Sequence, residues 1–385
     1  MGDLDQFARQ KLATLQASGL LREVMDTRRS PGARVERNGR TLISLSCNDY
    51  LGLSQDPRVL EASAAALHTY GAGSGAARLI TGGHPLARAF ERAIADYLGT
   101  EAALLFGSGY LSNLGVIPSL VGEGDLVVLD QRAHASLYAG ARSSRAEVST
   151  CGPGAEPILR ALERRRNFQN CLIAIEGVHS MDGDRADVSA IAELAVAHDA
   201  WLLVDDAHAL GVLEDGKGTC TLGGRRLKVP LQVGTCSKAL GSYGGFLAAS
   251  RVVVELLTSR ARSFVYTTAL PPSVVAASLA ALQILQAEPE RTRLPLQKAT
   301  FFCRALGRPD PQSPIVPLPF GTPERALAAQ AKLQTAGFLA TAIRPPTVPE
   351  GTARLRLAFP QALEAADLER LVEVVRTMEV AWLAG

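Results

Sequence analysis

The six cysteines of this 385-residue chain (Cys47, Cys151, Cys171, Cys220, Cys236 and Cys303) are dispersed and include no C-x-x-C pair. That spacing argues against a zinc site or a disulfide framework, so no metal is expected, and it fits a reducing compartment. Charge of one sign is not in excess either, since 40 basic residues face 38 acidic ones for a formal net charge of +2. Such a balance gives no reason to expect a nucleic acid or an anionic membrane as partner. No apolar run is long enough for a membrane span. The opening MGDLDQFARQKLATL has early acids and no apolar stretch of the secretory kind. Repeats and low-complexity tracts are absent as well. These absences lead to the expectation of a globular cytoplasmic protein.

What is present points to an enzyme of two parts. The chain is too long for one small core, so a large domain plus a smaller one is expected. Residues 3–29 are charged and helix-forming, and SPGARVERNGR (30–40) looks like a hairpin. DPRVLEASAAALHTYG (56–71) predicts a helix closed by a glycine. EAALLFGSG, DLVVLD, CLIAIEG, WLLVDD and VPLQVG then read as short buried strands, several of them separated by helical stretches. That alternation predicts a three-layer α/β domain with a mostly parallel sheet. After FVYTTALPP the texture changes to long helices, then to IVPLPF and TARLRLAF, each leading into an amphipathic helix. The expected division is 1–45 as an N-terminal helical and hairpin segment, 46–272 as the large domain and 273–385 as a smaller α+β domain.

In an open α/β sheet, ligands sit beyond the carboxyl ends of the strands. WLLVDDAHALG (201–211) runs an apolar strand into Asp205, Asp206 and His208, and VGTCSKALGSYGG (233–245) carries Lys238 between small residues. An isolated lysine can hold an aldehyde as a Schiff base, and a carboxylate can keep a pyridine nitrogen protonated; pyridoxal phosphate (PLP) chemistry needs both. Most Asp at strand ends and most Lys in loops are merely solvated, so the ordered pair is the informative feature. Gly107, Ser108, Gly109 and Tyr110 lead into a helix start, which can bind an anion through free N–H groups. Three post-strand loops each deliver a histidine: His134, His179 and His208. Any one of these alone reads best as a structural histidine.

The ordered set NDYLGL, GSG, SGY, HAS, EGVxSMDGD, VDDAHxxG, T-x-S-K-x-x-G and Y-T-T-x-L-P-P resembles the α-oxoamine synthases. These are a branch of the aspartate-aminotransferase-like PLP enzymes, and the resemblance runs from Ser46 to about Phe359. It implies that Lys238 binds PLP and then acts as base, and that Asp205 pairs with the ring nitrogen. It also implies that His208 and Ser180 meet the phenolic oxygen, that His134 stacks on the ring, and that Gly109, Tyr110 and Thr235 hold the phosphate. Thr267 or Thr268 would reach the phosphate of a neighbouring subunit, because this family builds its sites at a homodimer interface. Asn48, Arg22, Thr347 and Arg356 would face substrate. Arg354 stays open as the rival carboxylate clamp, since residues two apart on a strand share a face. IRPPTVPEGTARLRL (343–357) looks most like the branch that joins L-alanine to a pimeloyl thioester, on coenzyme A or acyl carrier protein. A sister activity would use glycine or serine with another acyl-CoA. Two departures stand out: GSGAAR has Ala77 where the family has a serine, and His179 replaces an aromatic residue.

Overall fold

The computed structural model describes residues 3–164 and 168–383. Seven strands build the central sheet: β1 (Ala102–Phe106), β2 (Leu126–Asp130), β3 (Glu147–Cys151), β4 (Cys171–Glu176), β5 (Trp201–Asp205), β6 (Leu231–Thr235) and β7 (Gly245–Ala249). Their order across the sheet is β1-β7-β6-β5-β4-β2-β3. The pairings from β6 through β3 are parallel, and β7 runs antiparallel to both its neighbours. Aliphatic runs such as LVVLD and CLIAIE suit a sheet covered on both faces. Alternate residues divide between two layers: Val127, Leu129 and Leu203 pack with Val116 and Ile117, whereas Val128, Ile173 and Val204 pack with Ile191 and Ala192.

β3 and β7 lie outside the strands expected from sequence. β3, EVSTC, is an edge strand with partly exposed positions, so its pattern is polar. β7, GFLAA, begins inside the glycine-rich loop, and small residues hide its strand character.

A second sheet has the order β8-β10-β9, from β8 (Ile315–Gly321), β9 (Thr341–Ile343) and β10 (Ala353–Ala358). Its core joins Val316, Leu355 and Leu357 to Phe302, Leu333 and Leu371 of the covering helices. Ile43 and Leu45 belong to this same cluster, because strand Arg40–Ser44 pairs in parallel with Phe338–Leu339. The first 45 residues therefore share sheet and core with the C-terminal part. The helix Pro272–Ala287, which a division at 272 gives to the small domain, packs Val275, Leu282 and Leu285 among Leu51, Phe90 and Ile94 of the large one. That burial moves the break in packing beyond residue 287. The first helix is shorter than the expected 3–29, ending at Ala17, with the chain running extended beyond it.

Candidate active site

β1 turns directly into the helix Gly109–Leu120, and Ser108 caps it by accepting a hydrogen bond from Leu111 N at 3.1 Å. The N–H groups of Gly109 and Tyr110 have no partner among the described residues, which leaves an anion cup at this helix start. Thr235, ending β6, stands beside it; its hydroxyl lies 2.8 Å from that of Ser237 and donates to Gly244 O at 2.8 Å. A Cβ at Gly245 would collide with Gly109 N and the Ser108 carbonyl, so the cup rests on bare backbone of β7.

Asp205 and Asp206 face opposite ways, as neighbours at a strand end must. Asp205 accepts from Asn113 Nδ2 at 2.7 Å and from Ala207 N at 3.0 Å. The same amide nitrogen of Asn113 donates to Ser136 Oγ at 2.9 Å, and Ser136 Oγ lies 2.8 Å from His134 Nδ1. Asp205 and His134 are thus tied through two intermediates, and the His134 ring stands edge-on to Tyr110 with centroids 6.4 Å apart. Asp206 is fully buried on the far face, where Thr219, Cys220 and Gln232 all donate to it.

His208 follows the strand and shares a 2.8 Å hydrogen bond with the hydroxyl of Tyr50. Burial, with the cations Lys238 and Arg356 close by, holds its pKa well below the usual histidine value. Arg356 of β10 donates to Asn48 Oδ1 through both terminal nitrogens at 3.1 Å and through Nε to the Ser180 carbonyl. It also reaches the Tyr50 hydroxyl at 3.4 Å. Arg354 instead forms an ion pair with Asp182. Lys238 sits in the loop after β6, and its amine makes no hydrogen bond or ion pair among the described residues. Burial and Arg356 push it down to about 8, against the pull of Asp205 and Glu176.

A charged network supports the neighbouring loops. His179 bridges Asp130 at 2.8 Å and Asp184 at 3.1 Å, and Arg132 also bonds Asp184, at 2.8 Å. Burial opposes charge on His179, yet the bonds to the two aspartates lift it to about 9.

The residues gathered here fit one kind of molecule. An anion cup, a carboxylate fixed by two N–H donors and an unpaired lysine amine match the phosphate, ring nitrogen and aldehyde of PLP. The family model of class I and II aminotransferases matches residues 40–375. The 8-amino-7-oxononanoate synthase of Methylobacterium radiotolerans is 52% identical over 381 residues, covering 98% of this chain and 99% of that protein. The chain belongs to the class I and II aminotransferase family. Among solved structures of similar proteins, Sphingomonas wittichii serine palmitoyltransferase superposes with a TM-score of 0.91 at 31% identity, covering 99% of both chains. A further structure, described as SPT with a PLP internal aldimine, matches at a TM-score of 0.90 and 29% identity, again covering 99% of both. Within the aminotransferase family the chain is a PLP-dependent acyltransferase of the α-oxoamine synthase branch.

Of the residues singled out in sequence, this aminotransferase-family fold gathers Gly109, Tyr110 and Thr235 at the cup. It sets Asp205 and His134 in one hydrogen-bonded chain, and Asn48, Ser180, His208 and Arg356 in another. Arg22 meets Thr347 at 3.3 Å, in the wall of a separate pocket of about 410 Å³. Thr267 and Thr268 line a small cleft with Arg78, His84 and Gly107, apart from the Thr235 hydroxyl. His84 itself begins the helix Pro85–Leu98. Sequence reasoning missed Tyr50, Asn113 and Ser136, although each lies inside or next to a motif already noted. It also gave no role to Glu176, the last residue of β4, which the EGV motif contains.

Proposed function

We propose that the chain condenses L-alanine with a pimeloyl thioester, carried on coenzyme A or acyl carrier protein, to give 8-amino-7-oxononanoate, CO2 and the free carrier. That reaction belongs to biotin biosynthesis and would run in the cytoplasm. The observation that carries this reading is the buried Arg356 guanidinium, held by Asn48, Tyr50 and Ser180 close enough to Lys238 to depress its pKa. A planar fork beside a lysine amine suits the carboxylate of an α-amino acid. Bound PLP would supply an electron sink conjugated to the substrate nitrogen. Asp205, oriented by Asn113 and the Ala207 N–H, would pair with the ring nitrogen. Lys238, at about 8, can take a proton from the amino acid Cα near neutral pH and later return it. Gly109, Tyr110 and Thr235 would seat the phosphate, His134 would cover one ring face, and His208 with Ser180 would face the phenolic oxygen. Arg22 and Thr347 would border the acyl donor. Thr267 or Thr268 would complete the site of a second subunit in a homodimer.

One alternative has an observation behind it. The likeness to serine palmitoyltransferase favours a sister reaction with serine, or glycine, and another acyl-CoA. Assaying alanine, glycine and serine against a panel of acyl thioesters decides between them. Turnover of alanine with pimeloyl thioesters is expected, and turnover confined to glycine or serine would overturn the proposal.

A further inference from the structure

β4 ends on a carboxylate that the reaction as proposed leaves unused. Glu176 stands opposite Asp205 in the register of the parallel strands β4 and β5. The next residue fixes the direction it faces, since a Cβ at Gly177 would collide with Thr219 Oγ1 and Asp206 Oδ1 on the far side of the sheet. Strand neighbours alternate, so Glu176 projects to the Asp205 side. It is only 3% exposed. Among the described residues the Ser180 hydroxyl is its hydrogen-bonding neighbour, and Oε2 is buried without a partner.

Two carboxylates in one dry site do not both ionise cheaply, and the proton goes to the one with fewer donors. Asp205 accepts two N–H bonds, at 2.7 and 3.0 Å. Glu176 accepts none from an N–H among the described residues, so its ionised form is the poorly compensated one.

We infer that Glu176 is the proton-bearing acid of this site, a positioning residue that holds its proton beside Asp205 and so adds no second negative charge near Lys238. The inference rests on the reading of Asp205 and Lys238 given above. The groups facing Glu176 are Asp205 from β5, Lys238 from the loop after β6, and His179 and Ser180 from its own loop; Arg356 of β10 lies beyond Ser180. Burial and the Asp205 charge raise Glu176 to about 8, opposed by Lys238 and His179. A neutral Glu176 lets the Lys238 amine shed its proton. An ionised one would add a second negative charge and hold Lys238 as an ammonium.

The test uses two readouts that do not need turnover. Infrared spectra of protein with isotope-labelled glutamate should show a protonated carboxyl band at about pH 7 that fades above about pH 9 and is missing in Glu176→Gln. In the apo protein, the pH midpoint for acylation of Lys238 should move by less than about half a unit in Glu176→Gln, because the amide replaces a carboxyl that is already neutral. Absence of the band in the wild-type protein at neutral pH overturns the inference. A Lys238 midpoint that falls by about a unit or more in the variant overturns it too, since that shift would come from removing a negative charge. Attachment of PLP to a lysine other than Lys238 would overturn the functional reading alone, and the infrared band would then decide the inference by itself.

Discussion

Arg356 Nη1 and Nη2 both lie 3.1 Å from the side-chain oxygen of Asn48. One guanidinium on the small domain's central strand is thereby anchored to the loop that enters the large domain. Two residues earlier on the same face, Arg354 is taken up by Asp182 instead. Arg354 is thus committed to a carboxylate, whereas Arg356 is held by neutral groups alone and keeps its charge unpaired for a substrate carboxylate under the proposed function. Arg356→Lys keeps the charge and loses the fork, so KM for the amino acid should rise by at least about tenfold, the size expected for losing a charged hydrogen bond. The absorbance of bound PLP should not change. Steady-state kinetics with parallel spectra check this, and an equal or larger KM effect from Arg354→Lys would reverse the assignment.

Asp205→Asn and Asp206→Asn should fail in different ways. The first removes the charge on the cofactor side, so kcat should drop by about a hundredfold or more while PLP still binds. The second weakens the bonds from Thr219, Cys220 and Gln232 and should cost about 1–3 kcal/mol of folding stability. Turnover numbers set beside urea unfolding curves separate the two. Should Asp206→Asn prove the more damaging to kcat, the assignment of faces is wrong.

His179 should make stability depend on pH in the alkaline range. Its pKa rises from 6.5 to about 9 on folding, so its contribution is complete below about 6.5 and disappears as pH climbs through 9. By linkage the gain at neutral pH and below is on the order of 3 kcal/mol. His179→Gln should therefore narrow the gap with the wild-type protein between about pH 6 and about pH 9.5. Parallel unfolding curves that keep the same separation across that window would refute this.

Subunit mixing tests the shared site. Lys238→Ala should abolish turnover and covalent PLP capture, and Thr267→Val with Thr268→Val should impair the phosphate seat of the opposite subunit. Mixed in equal amounts, the two variants should recover part of the wild-type activity, because a hybrid dimer holds one intact site. A monomer by light scattering at working concentration rules this out.

The order of chemistry along the chain was legible because each group follows an apolar strand. Asp205, His208 and Lys238 stand where a buried run gives way to polar residues, and that boundary is visible without coordinates. Edge strand β3 and glycine-led β7 were not, since one is half exposed and the other lacks bulky residues. The break near 272 was misplaced for a related reason. An Ala/Leu helix carries no mark of which domain it will cover, and its partners Phe90 and Ile94 lie far back in the chain. Glu176 stayed silent because its role depends on standing beside Asp205 across two strands, a relation that spacing along one strand does not encode. The choice between Arg354 and Arg356 was open for the same reason, as only the positions of Asp182 and Asn48 distinguish them.

The contact of Gly245 with Gly109 has a mechanical consequence. Main chain lies on main chain there, with no side chain between to deform or change rotamer. A shift in the twist of the antiparallel strand would therefore pass to the phosphate seat almost undamped. The one reversed strand of the sheet acts as a rigid shim, and its thickness sets how far the Gly109 helix start stands from it.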